Sequence, residues 1–233
     1  TFTVTAGSGS VGGGASSIVS TGATGLAAPA NWVLGTIAGA NTLSATASGL
    51  TGSPVSFTAT GVAGAATQIA SVTAASSSVA SGVTFPQQPS VRLLDVFGNA
   101  VAQAGVPVDV AVQSGGAVLS GTTPVYTAST GIATFSGLAL TGPAGPHTLV
   151  YSSAGLTSLV SGTITVTAGG SATGITQVNP AATVVGESYT VSVSVTGAGG
   201  TPTGTVTVGD GSVSCNATLA GGSGSCAMAS TAA

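Results

Sequence analysis

The sequence is almost without charge. Of its 233 residues one is basic, Arg92, and four are acidic: Asp95, Asp109, Glu187 and Asp210. Charged residues make up 2% of the chain, where soluble domains carry about 25%. A lone cation cannot displace counterions from phosphates, so no nucleic-acid partner is expected. For the same reason no polybasic membrane patch exists. The acids lie far apart in sequence, and hard cations want several oxygen ligands, so no metal and no cofactor are expected. One histidine, His147, and no lysine leave no base for a Ser-His-acid or Cys-His set, so the chain reads as a non-enzyme with no catalytic residues.

Long apolar runs are missing too. No stretch of about 18 residues is free of Ser, Thr and Gly, as a spanning helix requires, so no membrane insertion is expected in this segment. Aromatics are 4%, too few for the girdles of an outer-membrane barrel. No signal peptide is visible before the strand-like pattern that begins at Thr1, so Thr1 is not expected to be the native start.

What is present is alternation. Residues 2–5 (FTVT), 106–112 (VPVDVAV), 164–167 (ITVT), 191–195 (VSVSV) and 205–208 (TVTV) place Val or Ile on one face and Ser or Thr on the other. A period of two marks half-buried antiparallel strands. Turn signals punctuate them at Gly98-Asn99, Gly115-Gly116, Gly142-Pro143, Gly199-Gly200 and Asp210-Gly211. No segment keeps a helical period.

The chain also repeats itself. At an offset of about 106 residues, Thr24-Gly25-Leu26-Ala27 falls on Thr130-Gly131-Ile132-Ala133, and Thr42-Leu43 falls on Thr148-Leu149. About 15 identities accumulate over about 50 gapless residues, including Ser8-Gly9 on Ser114-Gly115. After one extra residue, Phe57-Thr58-Ala59 meets Ile164-Thr165-Val166. Ala66-Thr67-Gln68-Ile69 aligns with Ala172-Thr173-Gly174-Ile175. The period is that of an immunoglobulin-like sandwich. The expectation is therefore an all-β chain of tandem immunoglobulin-like β-sandwiches, end to end. Residues 1–66 form the C-terminal half of one domain, 67–168 a complete domain, and 169–233 the N-terminal part of a third. Short linkers at Ala66-Thr67 and Gly169-Gly170 join them.

The middle repeat carries VRLLDVFGNAV (91–101), VPVDVAVQSGG (106–116), STGIATFSGLAL (129–140) and AGPHTLVYSSAG (144–155). These motifs resemble the bacterial Ig-like domains of invasin- and intimin-type surface proteins. Residues 187–226, with PTGTVTVGDG at 202–211, are similar to a second group of bacterial Ig-like repeats. The resemblance implies spacer or adhesive modules of long extracellular proteins, at the bacterial cell surface. Partners are then neighbouring copies of the chain or further Ig-like domains of the same chain. The role implied is a stalk or filament, with an adhesin binding glycan or protein through sandwich-end loops as the alternative. The family's receptor-binding residues sit in a distal lectin-like domain that nothing here matches, so none is carried over. The truncated end repeats fit a stretch of a longer array, or a subunit whose end completes the start of the next copy.

Individual residues are read as follows. Asp95, Gly98 and Asn99 form a structural turn between two strands, in preference to an interdomain calcium site. Phe97 beside it is read as a plug at the sandwich end. Cys215 and Cys226 fall opposite each other in a hairpin centred on Ala220-Gly221, close enough for a disulfide. Trp32 aligns with Leu138 and is read as a core or interface aromatic, with a sugar-stacking ligand contact as its functional alternative. His147 aligns with Asn41, which suggests a strand-edge or loop position. Arg92 and Asp109 lie on neighbouring expected strands and are read as an ion pair.

Overall fold

A computed structural model describes residues 1–179, 181, 184–197 and 201–230. It is all-β, with no helix among the described residues, and its sheets, antiparallel but for one parallel edge pair, build immunoglobulin-like β-sandwiches. The expected Gly199-Gly200 turn lies outside the described residues.

The first unit contains β1 (Phe2–Ala6), β2 (Ser10–Val11), β3 (Ser16–Ser17), β4 (Trp32–Val33), β5 (Gly39–Ala45) and β6 (Val55–Gly61). Four of these form one sheet in the order β3-β1-β5-β6, and β2 pairs with β4.

The middle unit opens with β7 (Gln68–Thr73), β8 (Ser78–Ala80), β9 (Ser90–Leu94) and β10 (Pro107–Ser114). It continues through β11 (Val118–Ser120), β12 (Val125–Tyr126), β13 (Ile132–Thr134) and β14 (Ala139–Thr141). It closes with β15 (Gly145–Ser152), β16 (Leu159–Val160) and β17 (Ile164–Thr167). One sheet runs β12-β10-β15-β17-β8, with β16 on β15; the facing one runs β13-β9-β7, and β11 pairs with β14. The inward residues of both sheets, among them Ile69, Val91, Leu93, Val110, Phe135, Leu149, Tyr151 and Ile164, form one core. Burying each such side chain is worth about 1.5–3 kcal/mol, and this cluster is what holds the two sheets together.

The third unit contains β18 (Ser171–Asn179), β19 (Ser188–Gly197), β20 (Gly204–Gly209), β21 (Ser214–Leu219) and β22 (Ser223–Ala229). A sheet β18-β19-β22 faces the pair β20-β21 over a smaller core of Val191, Val193, Val195, Ala217, Leu219 and Met228.

The sheets of the first and middle units share features of register. In the first unit Phe2 pairs with Ala45, Val4 with Leu43 and, across a bulge, Ala6 with Thr42. In the middle unit Val110 pairs with Tyr151, Val112 with Leu149 and, across the same bulge, Ser114 with Thr148. β5 thus corresponds to β15 at the expected offset, but β1 corresponds to β10 two residues further on, so that Gly7 and not Gly9 matches Gly115. The connection through Gly12-Gly13-Gly14 holds the two additional residues. β6 shows the same kind of slip: Ala59 faces Asn41 as Ile164 faces His147, which places Ala59, not Phe57, on Ile164. A slip of two keeps each side chain on its own face, so alternation alone cannot detect it.

Candidate functional site

A dense set of polar contacts sits where the first unit meets the middle one. β9 ends at Leu94, and the turn Asp95–Asn99 returns the chain to Ala100, which bridges back to Leu94. Asp95 N donates to Asn99 O at 3.0 Å and Gly98 N to Asp95 O at 3.1 Å, closing the turn. Gly98 has φ +85°, a conformation that side chains rarely adopt, so the glycine is required there; Asn99 is not among the residues with positive φ.

The Asp95 side chain is buried and fully used. Oδ1 accepts from Phe97 N and Asn99 N, each at 2.9 Å. Oδ2 accepts from Asn99 Nδ2 and from Gly64 N, again at 2.9 Å. These donors, the Asn99 amide foremost, hold the carboxyl at about 2 against the opposing effect of burial. Four N–H groups aimed at one carboxylate present hydrogens where a cation would need oxygens. The arrangement is that of a structural turn.

Asn99 carries the turn across the unit boundary. Its Nδ2 donates to Thr36 O at 2.8 Å, and its Oδ1 accepts from Ala38 N at 2.8 Å. Gln68 Nε2 donates to Asp95 O at 3.0 Å. One Asp–Asn pair therefore ties together the loop before β5, the linker at Gly64 and both ends of the turn. The sequence signals the turn through D-x-x-G-N spacing. It carries no signal for Thr36, Ala38 or Gly64, whose contribution is main chain only.

A cleft of about 350 Å³ lies beside this clasp, lined by Gly35, Val62, Gly64, Asp95 and Phe97 among others. Phe97 is 63% exposed and does not plug the sandwich end. The tight Asp95 turn directs both Phe97 and Val96 outward.

Other residues singled out by sequence lie elsewhere and are not brought together. Trp32 stands half-buried on β4, paired with the fully buried Val11, and its Nε1 is buried without a hydrogen-bond partner. Arg92 and Asp109 make no ion pair. β9 and β10 belong to different sheets, Asp109 is exposed, and the buried Arg92 Nε has no partner. His147 and Asn41 are at neither an edge nor a loop; they are 1% and 0% exposed inside β15 and β5.

Cys215 and Cys226 form a disulfide with Cα atoms 5.9 Å apart. The geometry differs from a hairpin cross-pair. The turn is at Gly221-Gly222, one residue later than expected, between Ala220 and Ser223. Past this corner β21 joins β20 and β22 joins β19, so the bond links the two sheets of the third unit. Near it, Tyr189 Oη donates to Asp210 Oδ2 at 3.4 Å. Burial raises the Tyr189 phenol and the Asp210 charge adds to the effect. Asp210 is held low mainly by the Val213 and Ser212 amides, each 2.9 Å from its Oδ1. No group of three His, Cys, Asp or Glu side chains converges among the described residues.

No protein-family model matches the chain, and no curated protein matches it. Six chains of solved structures match it, two of which are named here. One is a β-glycosidase from Bacteroides vulgatus, 17% identical, TM-score 0.38, over 61% of this chain and 19% of its own. The other is the Escherichia coli adhesin FdeC, 20% identical, TM-score 0.42, over 86% of this chain and 68% of its own. The chain thus spans about a fifth of the first and about two thirds of the second. Likeness at these scores carries no argument about what the chain does.

Proposed function

We propose that the chain is a structural segment of an extracellular or cell-surface bacterial protein, in which Ig-like repeats act as a stalk or filament. The observation that supports this is the Asp95–Asn99 clasp. It commits a buried carboxylate and a fully bonded amide to fixing one repeat against the next. Loose linkers between independent modules do not require such a joint. The nearly uncharged, Ser/Thr-covered surface suits close packing against neighbouring repeats. Small-angle scattering tests the reading. An extended particle at every concentration supports a stalk, and concentration-dependent fibres support a filament. A compact globule rejects both.

A binding role through sandwich-end loops has one observation in its favour: Val96 and Phe97 are exposed side by side at the mouth of the junction cleft. A glycan array and a protein-ligand screen, each run with Phe97→Ala and Trp32→Ala as controls, check it. Binding unaffected by both substitutions counts against this reading.

A further inference from the structure

The middle sandwich has an opening in its flank. β7 is the edge strand of its sheet and meets the facing one through a parallel bridge from Gln68 to Thr157. Beyond that bridge β16 pairs with β15 instead. A cleft of about 190 Å³ is left between the two sheets. Its floor is apolar, made by Tyr151, the directly opposed Leu159, and Ile164 of β17. Its rim carries Ser71, Thr73 and Thr163, and no charged side chain lines it. None of these three hydroxyls has a hydrogen-bond partner among the described residues.

Tyr151 is the unusual member of the floor. It is 2% exposed, and its ring lies in the core against Phe135, with centroids 5.5 Å apart. Its phenol has no hydrogen-bond partner among the described residues either. Burial alone pushes the group up to about 12, so at neutral pH it keeps its hydrogen and can donate. A phenylalanine would fill the same space without the cost of a buried, unpaired hydroxyl. In the first unit the corresponding residue is Ala45, so the sheet itself does not require a phenol there.

We propose that this cleft binds one pyranose ring of an uncharged glycan, with Tyr151 Oη donating to one of its oxygens. The walls select that class. A sugar ring has a C–H face to lie on Leu159 and Ile164. Its hydroxyls exchange donor and acceptor roles with those of Ser71, Thr73 and Thr163. An acidic sugar, a phosphate or an ammonium group would lose its water with no opposite charge in the cleft to replace it. The size agrees, since a cavity of about 150 Å³ holds a benzene ring. Trp32 and Phe97 do not line this cleft, so the site is separate from the sandwich-end loops.

The test titrates the full chain, labelled with nitrogen-15, with the methyl glycosides of glucose, galactose, mannose and N-acetylglucosamine. At least one of them should shift the Ser71, Thr73 and Thr163 amide signals saturably. Tyr151→Phe should weaken that binding at least about fivefold while melting no lower, because it removes only an unpaired hydroxyl. If that variant does not fold, Thr163→Val on the exposed rim gives the comparison. No saturable shift with any of the four glycosides overturns the proposal, as does equal affinity in Tyr151→Phe. Equal binding of cyclohexanol, a ring with a single hydroxyl, overturns the assignment to sugars. Shifts confined to Trp32 or Phe97 overturn this site and favour the loops. Failure here leaves the stalk reading standing, because scattering reports shape and the titration reports one cleft.

Discussion

Asn41 and His147 hold corresponding places in the sheets of the first and middle units and make the same bond. Asn41 Nδ2 donates to Gly39 O at 3.2 Å, and His147 Nδ1 stands 2.9 Å from Gly145 O. A carbonyl only accepts, so Nδ1 carries the proton in that contact. Above each side chain lies a glycine with positive φ, Gly7 at +90° and Gly115 at +101°. A Cβ on Gly7 would collide with the Asn41 side chain, and one on Gly115 with the His147 ring.

Gly115→Ala is therefore expected to lose about 1–3 kcal/mol through overpacking against His147, on top of the strain of its backbone conformation. His147→Asn should be tolerated, because the first unit already uses Asn there, but a Cβ over that Asn collides as well, so only His147→Ala, which removes the ring, should relieve part of the Gly115→Ala loss. Urea denaturation of Gly115→Ala, His147→Ala and the double variant measures the coupling. Strict additivity would show that the glycine and the ring do not interact.

Asp95 gives the joint an acid limit. Its carboxyl titrates at about 2 in the folded chain, below its usual value near 3.8. A depressed carboxylate contributes stability that is complete above the usual value and disappears as pH falls towards 2. Melting temperature should hold down to about pH 4 and drop below it. Asp95→Asn should be less stable at neutral pH and should show a flatter acid slope. Parallel acid profiles for the two proteins would remove Asp95 from the account.

Asn99→Ala removes both bonds to the loop before β5 while leaving Asp95 three of its four donors. The middle sandwich should melt within about 1 kcal/mol of its original stability, as expected for surface polar truncations. The joint should loosen, seen as altered interunit residual dipolar couplings. An unchanged joint would show that apolar contacts alone fix it.

Reduction of Cys215–Cys226 should destabilise the third unit by about 2–4 kcal/mol and leave the middle one unaffected. The bond ties β21 to β22 across a core that is small beside that of the middle unit. Hydrogen exchange with and without reductant separates the two units. Faster exchange in β9 or β15 would contradict their independence.

Arg92 is the only trypsin site in the chain. It lies in β9, the central strand of its sheet, with its Nε buried. Native protein should resist trypsin, and denatured protein should give two fragments by mass spectrometry. Native cleavage at an undiminished rate would mean that β9 opens readily.

Much of the architecture was legible in the chain. Alternating Val with Ser or Thr has a single physical outcome, a strand with one buried face, and glycine at fixed intervals ends such strands. The D-x-x-G-N spacing disclosed the Asp95 turn, since a short acid can accept the backbone N–H groups of the residues just after it.

Tertiary structure decided what alternation cannot encode. A two-residue slip preserves the facing of every side chain, so only main-chain pairing placed Gly7 over Asn41 and Ala59 against it. The partners of Asn99 are a carbonyl and an amide of a distant loop, and backbone groups leave no mark on sequence. Arg92 and Asp109 lie on consecutive long strands of one repeat, yet the chain crosses between sheets there and separates them. The scarcity of charge was fixed by the sequence. That the buried Asp95 carboxylate works as the fastener between the first and middle units follows from four N–H donors converging on it, and only the folded chain brings them there.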